Sequence, residues 1–194
     1  MHLSLVRRRF LQGLQLLLVL ACLWSTGARG QGVELAALDA SEAEGALSLD
    51  FAVRVTLPKA VEDALQRGVP LYFAAEAQLF RNRWYWRDER VARVARSWRV
   101  AYQPLTNTWR VGLGGLHQTH DTLAEALGAA SRSAGWKLVD LSRIDPDSSY
   151  YIEFSYRLDT TQLPGPMQFG LGGLGGAGDW TVGVDRVIKV EPGR

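Results

Sequence analysis

Ala46-Leu47-Ser48-Leu49-Asp50-Phe51-Ala52-Val53-Arg54-Val55-Thr56-Leu57 alternates from one end to the other. Every odd position is apolar: Leu47, Leu49, Phe51, Val53, Val55 and Leu57. The even positions are Ala46, Ser48, Asp50, Ala52, Arg54 and Thr56. Successive side chains of a strand point to opposite faces, so this pattern predicts one buried and one wet face, as in an antiparallel sheet.

The same period recurs on both sides of that stretch. Leu71, Phe73, Ala75, Ala77 and Leu79 alternate with Glu76 and Gln78. Tyr150, Ile152, Phe154, Tyr156 and Leu158 do so with Glu153, Ser155 and Arg157. A last strand over Trp180–Val190 is apolar at Trp180, Val182, Val184, Ile188 and Val190, with Arg186 breaking the row. Val33–Leu38 reads as a weaker first strand. Between Arg96 and Leu113 a hairpin is expected: Trp98, Val100 and Tyr102 share a face, Pro104-Leu105-Thr106-Asn107 turns, and Trp109, Val111 and Leu113 return.

Two helices interrupt the strands. The first has Pro58 at its start, Gly68 past its end, and Val61, Ala64 and Leu65 on one face. Thr122-Leu123-Ala124-Glu125 is a capping box, opening a second helix with Leu123, Ala126, Leu127 and Ala130 inward. Many strands and two short helices predict a mainly β fold: an antiparallel, immunoglobulin-like β-sandwich with the helices at its ends.

Upstream of the sandwich the chain changes character. Arg7, Arg8 and Arg9 precede the uncharged apolar run Phe10–Leu23, and Ala28-Arg29-Gly30 follows. A positive segment, a short apolar stretch and an A-x-G site are the parts of a secretory signal. The run is 14 residues, shorter than the roughly 20 that span a bilayer core. Residues 1–30 are therefore expected to be a signal peptide, and 31–194 a single exported, periplasmic domain. Arg7-Arg8-Arg9-Phe10-Leu11 also fits a twin-arginine pattern, although ordinary unfolded export is the expected route. An uncleaved signal, or lipidation of Cys22 within Val19-Leu20-Ala21-Cys22, would instead tether the protein to a membrane.

Cutting after Gly30 takes Lys+Arg from 22 to 18 and leaves Asp+Glu at 20, so the formal charge moves from +2 to −2. The basic isoelectric point of 8.8 belongs to the leader, and no nucleic-acid partner is expected. Cys22 is the one cysteine, so the body holds no disulfide, thiolate nucleophile or zinc–thiolate site.

Four ordered segments carry a family likeness. They are Arg67-Gly68-Val69-Pro70-Leu71-Tyr72-Phe73; Arg83-Trp84-Tyr85-Trp86 with Asp88-Glu89-Arg90; Tyr102-Gln103-Pro104-Leu105-Thr106; and Leu158-Asp159-Thr160-Thr161-Gln162-Leu163-Pro164. Over roughly residues 33–190 the chain resembles the DUF4390 family of exported proteobacterial proteins. The resemblance implies an exported single domain, members of which are often encoded beside a membrane sensor kinase, and it supplies no catalytic residues. The glycine-rich stretch Gly170–Gly178, within a loop over 165–179, departs from the family pattern.

The chemistry-bearing candidates are few. Arg81–Arg110 holds eight arginines (81, 83, 87, 90, 93, 96, 99 and 110) against Asp88 and Glu89, interleaved with Trp84, Tyr85, Trp86, Trp98, Tyr102 and Trp109. Guanidinium groups bind phosphate and carboxylate in two-pronged fashion and stack on aromatic rings. Arg81, Arg83, Arg87, Arg90 and Arg93, with Trp84 and Trp86, are the expected surface for an anionic envelope component or another envelope protein. Solvated strand arginines and core tryptophans are the plain alternative. His117, His120 and Asp121 form H-x-x-H-D, a weak metal candidate that reads more simply as solvated loop residues. Gly170-Leu171-Gly172-Gly173-Leu174-Gly175 matches G-x-G-x-x-G but lacks the strand before and the helix after it that phosphate binding requires. No cofactor is expected.

Catalytic signatures are missing: no cysteine nucleophile, G-x-S-x-G or H-E-x-x-H occurs. Asp145-Pro146-Asp147 reads as turn chemistry. A non-enzymatic interaction or accessory module, linked by analogy to a sensor kinase, is the leading expectation. A periplasmic ligand-binding module with its pocket beside Gly170–Gly178, and an envelope hydrolase using Asp or His side chains, are its rivals.

Overall fold

Backbone pairing turns the alternating stretches into two antiparallel sheets. The computed structural model describes residues 32–85, 87–162 and 183–190. Among these, the strands are β1 (Gly32–Ala43), β2 (Ala46–Thr56), β3 (Leu71–Arg81), β4 (Glu89–Gln103), β5 (Thr108–Leu113), β6 (Leu116–His120), β7 (Arg132–Asp140), β8 (Tyr150–Leu158) and β9 (Gly183–Val190). The helices are α1 (Lys59–Gln66) and α2 (Leu123–Ala130). One sheet has the order β1-β2-β7 and the other β6-β5-β4-β3-β8-β9. The fold is a mainly β, antiparallel sandwich, as the period-two reading predicts. Residues 1–30, Trp86, the glycine-rich loop 165–179, Leu163, Pro164, Trp180 and Val182 lie outside the described residues.

The interior is built where the two sheets face each other. Leu47, Leu49, Phe51 and Val53 of β2 are buried against Phe73, Trp98, Phe154 and Tyr156 from the six-stranded sheet. Phe51 is the hub: its ring lies 4.9 Å from Phe154, 6.0 Å from Trp98 and from Trp136, and 6.1 Å from Tyr156. Such separations fall in the favourable range for tilted and edge-to-face rings. On β3 the small residues Ala75 and Ala77 stand opposite Tyr156 and Phe154 of β8. A methyl across from a large ring leaves room for that ring to reach Phe51, so the layers interdigitate.

Local signals set the helices. Pro58 precedes α1, and Gly68, at φ +90°, follows it. The Gly68 N–H donates to the Leu65 carbonyl and that of Val69 to the Ala64 carbonyl, a Schellman closure that needs a residue at ease with positive φ. Val61, Ala64 and Leu65 face the core. At α2, Thr122 Oγ1 accepts from the Glu125 N–H at 3.2 Å and Glu125 Oε2 accepts from the Thr122 N–H at 3.4 Å. Ala126 and Ala130 of that helix are buried.

Two strands, β6 and β7, went unseen in the sequence pattern, and β1 and β4 ran longer than expected, β4 starting at Glu89 rather than Arg96. β1 spans Gly32–Ala43 rather than Val33–Leu38, and bulges between Leu35 and Ala37. β6, Leu-His-Gln-Thr-His, has no apolar face and is held by backbone pairing with β5. β7 shifts register against β2 twice, around Gly135 (φ +58°) and again at Leu138, so the adjacent Leu138 and Val139 are both buried and the strand keeps no single period. The β4–β5 hairpin stands as expected, with Val100 opposite Val111 and Tyr102 opposite Trp109. Among the described residues, no helix is long and apolar enough to cross a membrane.

Candidate functional site

Strand alternation divides the arginines before any partner is considered. β3 and β4 form a long hairpin whose connection, residues 82–88, projects beyond both strands. Register places Tyr72, Glu76, Gln78 and Phe80 of β3 on the outer face, opposite Arg99, Ala95, Arg93 and Arg90 of β4. Arg96, opposite Ala75, belongs to the inner face. Its guanidinium donates to Ser133 Oγ at 2.5 Å and lies 5.2 Å from the Trp136 ring, tying the two sheets together. Arg96 therefore points inward, partly buried, and not onto the outer face.

Several of the remaining arginines already hold an anion. Arg93 meets Glu76 with two hydrogen bonds, of 3.0 and 2.8 Å. Those bonds keep the Glu76 carboxyl below its ordinary range, with partial burial opposing them. Half-buried Arg81 lies 4.0 Å from Glu89 and 6.0 Å from the Tyr150 ring. Arg83 is paired with Glu89 as well. Arg99 donates to the Tyr72 hydroxyl at 3.3 Å. Arg90 touches only the Gln78 amide oxygen, at 3.3 Å. Among the described residues Arg87 and Arg90 meet no carboxylate.

The base of the connection is braced. Asp88 accepts from the Arg83 N–H at 3.1 Å and from the Tyr151 hydroxyl of β8 at 2.8 Å. Tyr151 stacks on Phe80 at 5.2 Å, and burial, aided by Asp88, pushes its hydroxyl up to about 12. Above this base Trp84 is 92% exposed and Tyr85 70%, their rings 5.1 Å apart at 72°. Asp88 of the loop and Glu89 at the start of β4 are thus both turned onto the protein, leaving an aromatic pair with Arg87 and Arg90 exposed to solvent. The contact between Asp88 and Tyr151 escaped the sequence reading because the two lie 63 positions apart.

The other candidates are scattered. His117 pairs opposite Gly112 and His120 opposite Trp109, so three positions along a strand put them on opposite faces of β6. Asp121 is exposed in the turn before α2. Among the described residues, no group of three His, Cys, Asp or Glu side chains gathers to hold a metal ion. Asp145 accepts from the Asp147 N–H and the Ser148 hydroxyl, each at 3.0 Å, and these bonds hold its carboxyl below the ordinary value. That is turn chemistry, and a carboxyl held low is the opposite of the raised pKa a general acid requires. Elsewhere, a groove of about 670 Å³ runs between β2 and α2, lined by Val53, Val55, Leu57, Leu123 and Leu127 among others.

A family model described as a domain of unknown function, DUF4390, matches residues 30–187. The chain belongs to that family. The DUF4390 match takes in both sheets, both helices and the hairpin carrying Trp84 and Tyr85. Among curated proteins and solved structures, nothing matches the chain.

Proposed function

We propose that this DUF4390 protein is an exported, non-enzymatic accessory module of the cell envelope, which docks an anionic envelope component through its β3–β4 hairpin. One observation carries the reading: a braced loop holds Trp84 and Tyr85 in solvent beside Arg87 and Arg90, two cations without a carboxylate among the described residues. Exposed aromatic rings rimmed by arginine are the composition of binding surfaces. Export rests on the signal pattern in residues 1–30. The periplasmic face of a membrane sensor kinase is the protein partner the family suggests, by analogy alone.

A photo-crosslinking phenylalanine analogue placed at Tyr85 and, as a control, at Leu105 tests the docking in cells. Leu105 is exposed as well, but lies past the other end of β4. An envelope adduct from position 85 that disappears with Arg87→Gln plus Arg90→Gln supports the reading. Equal adducts from both positions, or indifference to the arginines, overturns it.

A second reading, a ligand-binding module, draws on the apolar groove between β2 and α2. It predicts a rise in melting temperature with an apolar ligand and loss of that rise in Leu127→Glu. A ligand response untouched by Leu127→Glu would remove the groove from consideration.

A further inference from the structure

Resting on that docking reading, we infer that the occupant of the hairpin is the headgroup layer of an anionic phospholipid bilayer, with Trp84 and Tyr85 as interfacial anchors. Size argues first. A stable protein–protein interface takes roughly 800 Å² from each partner, whereas two aromatic side chains supply at most about 300–500 Å². The tip is too small for a rigid protein partner to grip. A lipid surface needs no shaped counterpart and accepts a small projecting wedge.

Chemistry argues second. Trp and Tyr each have an apolar body and one polar handle, which suits the boundary between headgroups and acyl chains. Trp84 and Tyr85 are 92% and 70% exposed, so the tip can enter that boundary without unfolding anything. Arg87 and Arg90 follow on the same connection and the strand it opens, where lipid phosphates would lie. Their guanidinium groups suit phosphate oxygens, each contributing about fivefold to partition onto an anionic surface. The loop's own acids do not oppose them. Asp88 is turned to Tyr151 and Glu89 to Arg81 and Arg83.

Position argues third. Tyr150 and Tyr151 pair with Val190 and Lys189 of β9, bringing a further exposed cation to the same end of the sheet. Lys189 and Asn82 share the lining of a polar cleft of about 530 Å³, with Asp147, Ser148 and Ser149. Asp88 already ties the base of the loop to Arg83 and Tyr151, so that base needs no rearrangement on contact.

The test uses full-length protein and vesicles of phosphatidylglycerol with phosphatidylcholine, or of phosphatidylcholine alone, both carrying brominated acyl chains. Comparing wild type with Trp84→Phe isolates the Trp84 emission from that of the other tryptophans, Trp24 in residues 1–30 among them. The expected result is quenching of the Trp84 component by the anionic vesicles, weakened by salt and absent with phosphatidylcholine alone. Arg87→Gln with Arg90→Gln should lower partition about 25-fold. An unquenched Trp84 component overturns the inference, as does quenching that ignores both lipid charge and the two arginines. Protein adducts from position 85 without quenching would keep the docking reading and reject the bilayer; loss of both rejects both.

Discussion

Arg93 on β4 grips Glu76 on β3 with both prongs of its guanidinium, Nε to Oε1 at 3.0 Å and Nη2 to Oε2 at 2.8 Å. The contact is diagonal, because Arg93 stands directly opposite Gln78 and reaches two residues along the neighbouring strand. It removes one of the five predicted anion-binding arginines from the free surface. What is left for a partner lies at the hairpin tip, in Arg87 and Arg90.

That pair makes stability depend on acid. The Glu76 carboxyl titrates below its ordinary value of 4.5 when folded, chiefly because Arg93 bonds its charged form. A depressed carboxyl stabilises the fold fully above about pH 4.5 and loses that contribution as pH falls through the lowered value. Arg93→Gln should therefore cost about 0.5 kcal/mol near neutrality, or roughly 1–2 °C in melting temperature. The two proteins should converge in strong acid. A gap that persists unchanged at low pH would contradict this account.

Arg96 should behave as an interior residue despite its charge. Arg96→Ala removes the bond to Ser133 and the contact over Trp136, and should destabilise by about 1–2 kcal/mol. Arg87→Gln should stay within about 0.5 kcal/mol of wild type. Urea unfolding of the two variants decides; equal, small effects would mean that Arg96 does not bridge the sheets.

Phe51 is a core position of high expected cost. Phe51→Ala strips the ring that meets Trp98, Trp136, Phe154 and Tyr156, for about 3–5 kcal/mol. Tyr156→Phe keeps the ring and deletes only the hydroxyl that donates to the Ala130 carbonyl at 3.2 Å. It should cost about 1 kcal/mol. Denaturant midpoints that rank these two variants in the reverse order would reject the hub.

Helix α2 gives the simplest check on a sequence signal. Thr122→Ala breaks the capping box and should lower stability by about 1 kcal/mol, with Thr122→Ser nearly neutral. Amide exchange should quicken at Glu125, whose N–H loses its acceptor. Exchange there at the wild-type rate would show that the cap is dispensable.

Much of this molecule was legible in the chain. Alternation named the buried residues of β3 and β8 and, on β2, Leu47, Leu49, Phe51 and Val53 but not Ala46 and Ser48, which are buried on the other face; Pro58, Gly68 and the Thr122–Glu125 box set the helices. All of these are local: each is decided within a few residues by the period of the backbone or by its end groups. The candidate surface was only half legible. The sequence could count arginines from 81 to 110, and could say which of them alternate, but not what stands across from each.

Only the tertiary structure assigned the partners. Arg93 and Glu76 are 17 positions apart, Arg96 and Ser133 37, Tyr151 and Asp88 63. Such contacts follow from strand register and from how one sheet lies over the other. β6 and β7 belong to the same category, formed by pairing and a glycine bulge rather than by an apolar pattern. The period of the chain marks the wet face of β3 and β8 and of the second half of β2. Which wet arginines stay unclaimed was decided by neighbours that only folding brings within reach.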